Sequence, residues 1–173
     1  MSESTSQQAR ALATAFDRSF ERPARADEDE GRPALSLRVG GDPYLLPLEG
    51  LSSVTRAPRI VPLPSSPPAQ LGVAGVHGAL VGVFSLSALL GYDARHARTV
   101  AWLVVIGGRQ PIGLGVEQLE GQVLVPTRCV LGDVATPGSR PHVVGLALLE
   151  GESGHRGILD VDSVLRGIAA DIG

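Results

Sequence analysis

The chain has 173 residues, enough for one domain with an extension or for two small subdomains that share an interface. Its formal net charge is −3, with 15 Lys and Arg against 18 Asp and Glu, and aromatics make up only 3%; a nucleic-acid binder needs a basic surface and stacking rings, so nucleic acid is not an expected partner. One cysteine, Cys129, allows no intrachain disulfide, the polar N-terminus lacks an apolar signal core, and no stretch approaches the roughly 18 apolar residues of a membrane span, so a cytoplasmic protein without membrane insertion is expected.

Residues 1–33 differ from the rest and read as an N-terminal extension. Leu12, Phe16 and Phe20 recur every four residues, as on one stripe of a short helix, and the acidic run Asp27 to Glu30 follows. The body, 34–173, opens with Leu35, Leu37 and Val39 alternating with Ser36 and Arg38, the pattern of a half-buried strand. A Gly40–Pro43 turn leads to a second strand at Tyr44–Leu48. Five prolines between Pro58 and Pro68 make 57–70 an extended connector, because proline removes backbone donors and blocks helix. Leu71–Val76 and Ala79–Leu86 read as strands around a turn at His77-Gly78, followed by one helical turn at Ser87–Leu90.

Thr99–Ile106 is apolar on both faces, so it is expected to be covered on both sides. Strands follow at Ile112–Val116 and within Glu117–Val125. Arg128–Pro141 reads as a loop around Pro137-Gly138-Ser139. Val143–Leu149 and Arg156–Val161 form a last strand pair, and Val161, Val164, Leu165 and Ile168 mark a C-terminal helix.

The body repeats itself. Val39-Gly40-Gly41 and the segment Tyr44–Leu51 echo Ile106-Gly107-Gly108 and Ile112–Leu119, with one residue inserted; Val83–Gly91 then echoes Ile158–Gly167 in the same order. Self-similarity in fixed order predicts two like-built β-units.

Chemistry-bearing patterns are absent from the sequence. His77, His96, His142 and His155 have no second ligand at a metal spacing, and no nucleophile elbow occurs. Gly113-x-Gly115 has the form of a phosphate loop but lies between strands, where no helix N-terminus could meet the phosphate. Cys129 reads as packing, and Glu117 and Glu120 as surface or turn residues. No catalytic residue, cofactor or metal is expected, which leaves binding by surface, with Thr99–Ile106 and the His77-Gly78 hairpin as candidates.

Leu71–Leu86 resembles the CheW signature G-x-x-N-L-R-G-x-x-x-P-x-x-D-L, with Gly72, Gly78 and Leu86 retained. Ile112–Gln122 resembles the family's second signature, a Gly-rich strand ending in V-D-x-V, with Glu117 in place of the Asp. Val61–Pro64 and Ile158–Asp162 resemble the flanking segments, so the likeness covers about 34–168. The resemblance implies a mainly β fold of two SH3-like five-stranded β-barrel subdomains packed together, with short helices and a C-terminal helix. It implies a non-catalytic adaptor in a bacterial chemosensory pathway, joining a chemoreceptor signalling domain to the regulatory domain of a CheA-type histidine kinase. Receptor contact would fall on His77, Val100, Gly113 and Leu119, and kinase contact on Ser53 and Gly72. Where the family has Asn, Arg, Pro and Asp, this chain has Gly75, His77, Gly82 and Ser85, and an acidic position aligns with Ser53. Those departures imply an altered contact, hence the alternative of a kinase-independent accessory protein that binds receptor or another adaptor. A small β-barrel enzyme or ligand-binding module is the remaining alternative.

Overall fold

Among the residues that the computed structural model describes (31–64, 66–93, 99–132 and 140–172), eleven strands form two sheets. The expected helix around Leu12, Phe16 and Phe20, the acidic run, His96 and the Pro137-Gly138-Ser139 tip lie outside the described residues. The chain starts with β1 (Arg32–Val39), β2 (Asp42–Pro47) and β3 (Leu51–Arg56). Next come β4 (Gln70–Val76), β5 (Ala79–Ser85) and a short helix, α1 (Leu86–Leu89). A second series has β6 (Trp102–Ile106), β7 (Ile112–Val116), β8 (Gln118–Val125), a 3₁₀ turn (Thr127–Cys129) and β9 (Val130–Leu131). It ends in β10 (Val143–Ala147), β11 (Arg156–Leu159) and α2 (Val161–Ile172).

One sheet runs β8-β1-β2-β11-β10-β9 and the other β3-β6-β7-β5-β4. The sixth strand of the first sheet, β9, is only two residues long, so each sheet has the expected five-strand frame. The fold is mainly β, with two small β subdomains, few helices and a helix at the C-terminal end.

The largest apolar cluster draws Leu35, Leu37 and Leu46 from the first sheet, Val104, Ile106 and Leu114 from the second, and Val164 and Ile168 from α2. Two smaller clusters line the opposite faces: Ala74, Val76, Val81, Val83, Leu103 and Val105 on the second sheet, and Ala34, Leu45, Val125 and Ala147 on the first. The central strand β6 therefore sends Val104 and Ile106 one way and Leu103 and Val105 the other, as its two-sided apolar pattern predicts. Burying this many Leu, Ile and Val side chains supplies the driving force that a chain poor in aromatics needs.

Strand β3 was not legible as a strand. Leu-Ser-Ser-Val-Thr-Arg carries little apolar alternation, and its exposure alternates because it is an edge strand paired on one side to β6. The Thr99–Ile106 strand is shorter than expected, starting at Trp102, and the Arg128–Pro141 loop holds the 3₁₀ turn and β9.

Candidate protein-interaction surfaces

The turn between β4 and β5 consists of His77 (φ 49°) and Gly78 (φ 82°), two successive left-handed residues, flanked by the Val76–Ala79 pair. Two positive φ values in a two-residue loop match the twist of the strands they join. His77 is exposed at this tip. Leu80, just beyond it, is 72% exposed. It pairs with Gly75, which presents no side chain and has open space around it. Leu80, Gly82 and Phe84 share one face of β5, and Gly82 pairs in parallel with Ile112 of β7, which packs against the main core. A low-relief strip of Gly75, Leu80, Gly82 and Ile112 thus runs from the hairpin tip towards the core between the sheets. The hairpin is a candidate from sequence, whereas nothing in the sequence singles out Leu80 within its strand.

The other receptor positions are less open. Gly113 is buried beside Ile112, and the space where its Cβ would stand is filled by Leu103, whose Cδ1 is 2.8 Å away. Val100 is half-buried against Gly115, with its Cγ2 2.8 Å from the corresponding point there. Leu119 is half-buried against the main core and pairs with Leu37. Of the four, His77 alone is exposed, while Gly113 makes room for Leu103 next to the strip.

The kinase positions lie on opposite edges of the five-stranded sheet, Ser53 on β3 and Gly72 on β4. Ser53 is half-buried. Gly72 is buried, has φ 139°, and a Cβ there would stand 2.1 Å from the Val61 carbonyl oxygen. The proline-rich connector crosses at this point: the Val61 N–H donates to the Val73 carbonyl (2.8 Å) and the Val73 N–H donates back (2.9 Å). What this edge offers a partner is the connector itself, through Val61 (52% exposed) and Leu63 (41%). In the sequence this segment reads as an extended connector.

Ser85 is 1% exposed and cannot reach a partner. Its hydroxyl caps α1 by accepting the Ala88 N–H, and it also bonds to Ser87. The expectation that Ser85 costs the chain a docking group is therefore corrected: the position is a helix cap, where serine serves as well as aspartate.

Charged groups elsewhere hold strands together. Glu120 accepts from Ser36, from Arg38 (2.6 Å) and from Arg156 (2.6 Å). The Ser36 hydroxyl first, then the two arginines, holds its carboxyl down to about 2. Arg156 also grips Glu152 through two bonds of 2.7 Å, which raises its own pKa. Glu117 accepts the Gly40 N–H. Both glutamates are thus structural. A cavity of about 410 Å³ on the first sheet has a mainly apolar lining that includes Ala34, Leu45, Val125 and Ile158, with Arg32 and Glu49 as its charged members. No group of His, Cys, Asp and Glu suited to a metal occurs among the described residues, where no helix is long and apolar enough to cross a membrane.

The family model for the CheW-like domain matches residues 33–169. Among solved structures, the scaffolding protein TtCheW of Thermoanaerobacter tengcongensis is similar in fold, with a TM-score of 0.65 at 15% identity over 76% of this chain and 90% of that one. No curated protein matches the sequence.

Proposed function

Since the chain belongs to the CheW-like domain family, we propose that it is a non-catalytic cytoplasmic adaptor that docks a chemoreceptor signalling domain on the strip beside the β4–β5 hairpin. The observation that carries this reading is Leu80: a leucine 72% exposed, on β5 just beyond a two-residue turn, beside two positions without side chains. Large exposed apolar groups on otherwise flat surfaces are typical anchors for a partner helix or strand. His77 stands at the tip as a polar rim group. Gly113 leaves room for Leu103 beside Ile112 of the strip, while Val100 packs at Gly115 and Leu119 lies on the other sheet.

Titration of the chain with a chemoreceptor signalling fragment tests this. Leu80→Asp should weaken binding at least about tenfold, the effect of losing roughly 1.4 kcal/mol, without lowering the melting temperature. His77→Arg, which restores the family's guanidinium with its larger set of donors, should tighten it. Equal affinities for all three proteins would refute the docking site.

A second reading, the accessory adaptor that does not recruit kinase, is favoured by the two opposite edge strands, β3 and β4. There Ser53 is half-buried and uncharged, and Gly72 lies under the chain's own connector. If a CheA-type regulatory domain does bind, its contact is with Val61 and Leu63. Reconstituted receptor-dependent autophosphorylation separates the readings: activation that falls with Val61→Asp or Leu63→Asp supports kinase coupling, and no activation by the unaltered chain supports the accessory role.

A further inference from the structure

The two sheets are built by the same rule, and each borrows from the other half of the chain. Residues 31–93 supply β1 to β5 and α1; residues 99–172 supply β6 to β11 and α2. The hairpin β1–β2 of the first half sits between β8 and β11 of the second. The hairpin β6–β7 of the second half sits between β3 and β5 of the first. Strand order therefore coincides when β8, β1, β2, β11 and β10 are laid on β3, β6, β7, β5 and β4.

The coincidence extends to single residues. Leu35 pairs with Leu46 as Val104 pairs with Leu114. Tyr44 and Leu45 lie parallel to Gly157 and Ile158 as Ile112 and Gly113 lie parallel to Gly82 and Val83. Leu37 pairs with Leu119 as Ile106 pairs with Leu51, and in each case the next residue on the partner strand, Glu120 or Ser52, is skipped in a bulge. A second bulge skips Leu71 on β4 and Val144 on β10. The two helices are capped at matching points, α1 by Ser85 and α2 by Asp160, which accepts the N–H groups of Asp162 and Ser163. Bulges are specific features of a strand pair, so their repetition at matched positions marks one unit used twice.

We propose that residues 31–93 and 99–172 are obligate binding partners, each completing the other by strand pairing, and that the covalent link between them is dispensable for the fold. Within the first half, the ladders are β1–β2 and β4–β5, and β3 is left unpaired; within the second, they are β6–β7 and β9–β10–β11, and β8 is left unpaired. The first half alone is two hairpins and an orphan strand, and the second is a hairpin, a ladder whose third strand has only two residues, and an orphan strand, so neither assembles the sheet that buries a core. All three apolar clusters contain side chains from both halves. The ladders β1–β8, β2–β11, β3–β6 and β5–β7 all join one half to the other, so the kind of partner each half fits is the other's hairpin.

The test uses the full chain with residues 94–98 replaced by a specific protease site. After cleavage of the folded protein, the two pieces should run together at the size of the uncut chain and keep its β-sheet circular dichroism. After denaturation and dilution, recovery should slow as concentration falls, as a two-body reaction requires. The same halves expressed as separate chains in one cell should purify together through a tag on either. Pieces that separate on cutting, a half that stays folded alone, or a tagged half recovered without its counterpart would each overturn the proposal.

Discussion

Gly72 shows how one missing side chain controls a surface. Its φ of 139° is a backbone conformation that side chains rarely adopt, and the Val61 carbonyl fills the space a Cβ would need. Gly72→Ala must strain the backbone and push off the connector, breaking the paired Val61–Val73 hydrogen bonds. The expected loss is roughly 2–4 kcal/mol. Gly75→Ala, three residues on in the same strand, has open space and no positive φ, so its melting curve should stay close to that of the original chain. Denaturant unfolding of the two variants checks the contrast; equal losses would show that the crossing of the connector does not matter. A residue placed among family contacts by resemblance thus acts by holding Val61 and Leu63 in position.

At the scale of elements, α2 is held at its start by one histidine. His142 has φ 64°, its carbonyl accepts the Asp160 N–H, its Nδ1 meets Ser163 Oγ at 2.9 Å, and its ring lies over Gly167. Burial lowers its pKa below the ordinary 6.5; Asp160 and Asp171 oppose that, and Arg166 reinforces it. A histidine kept neutral in the fold leaves stability complete above about pH 6.5. As pH falls below that, the unfolded chain takes up a proton that the folded one resists, and stability declines. Glu120 and Glu152, whose pKa values are lowered from 4.5, cost stability only at more acid pH. Between pH 7 and 5.5 the melting temperature should therefore fall. His142→Asn, which tolerates the left-handed conformation and does not titrate, should flatten that slope; an unchanged slope would assign the effect elsewhere.

Elements with strong periodicity are legible in the sequence: β6 through its two apolar faces, α2 through Val161, Val164, Leu165 and Ile168, and the β4–β5 turn through His77-Gly78. The echo between the halves was legible too, but its first part is slipped. The matching Gly-Gly pairs align Val39 with Ile106, whereas the pairings place Leu37 there, because the β6–β7 connection is longer than the β1–β2 turn. A slip of two keeps every side chain on its correct face, so the echo still matches residues that face the same way. Strand β3 escapes because a largely polar edge strand lacks a periodic signal, and β9 because its two residues, Val130 and Leu131, are too few to show one. The exposure of Leu80 escapes because a leucine in a strand reads as core until the neighbouring surface is known, and that of Val61 and Leu63 because the prolines around them show only that the connector is extended.

On the scale of the molecule, exchange of hairpins makes the two barrels one cooperative unit. A pair of independent subdomains would unfold in two steps, and damage to one core would leave the other intact. Here β6 and β7 complete the five-stranded sheet, and the same chain passes from Val116 to Gln118 into the six-stranded one. In the other direction β2 passes into β3, with the Leu51 N–H bonded to the Leu48 carbonyl. Leu103 offers the sharpest probe. It is fully buried, belongs to the cluster on the second sheet alone, and fills the space left by Gly113, which has no side chain to collapse into a vacancy. Leu103→Ala should cost about 3–5 kcal/mol. Loosening β6 there also frees β3 and β7, and with them the shared core that Leu37 and Leu46 of the other sheet need. Hydrogen exchange should therefore show protection falling by similar factors in β1 and β11 as in β5 and β6, within a single thermal transition. Protection lost in the five-stranded sheet while β1 and β11 keep theirs would mean that the barrels fold separately and that exchange of hairpins does not couple them.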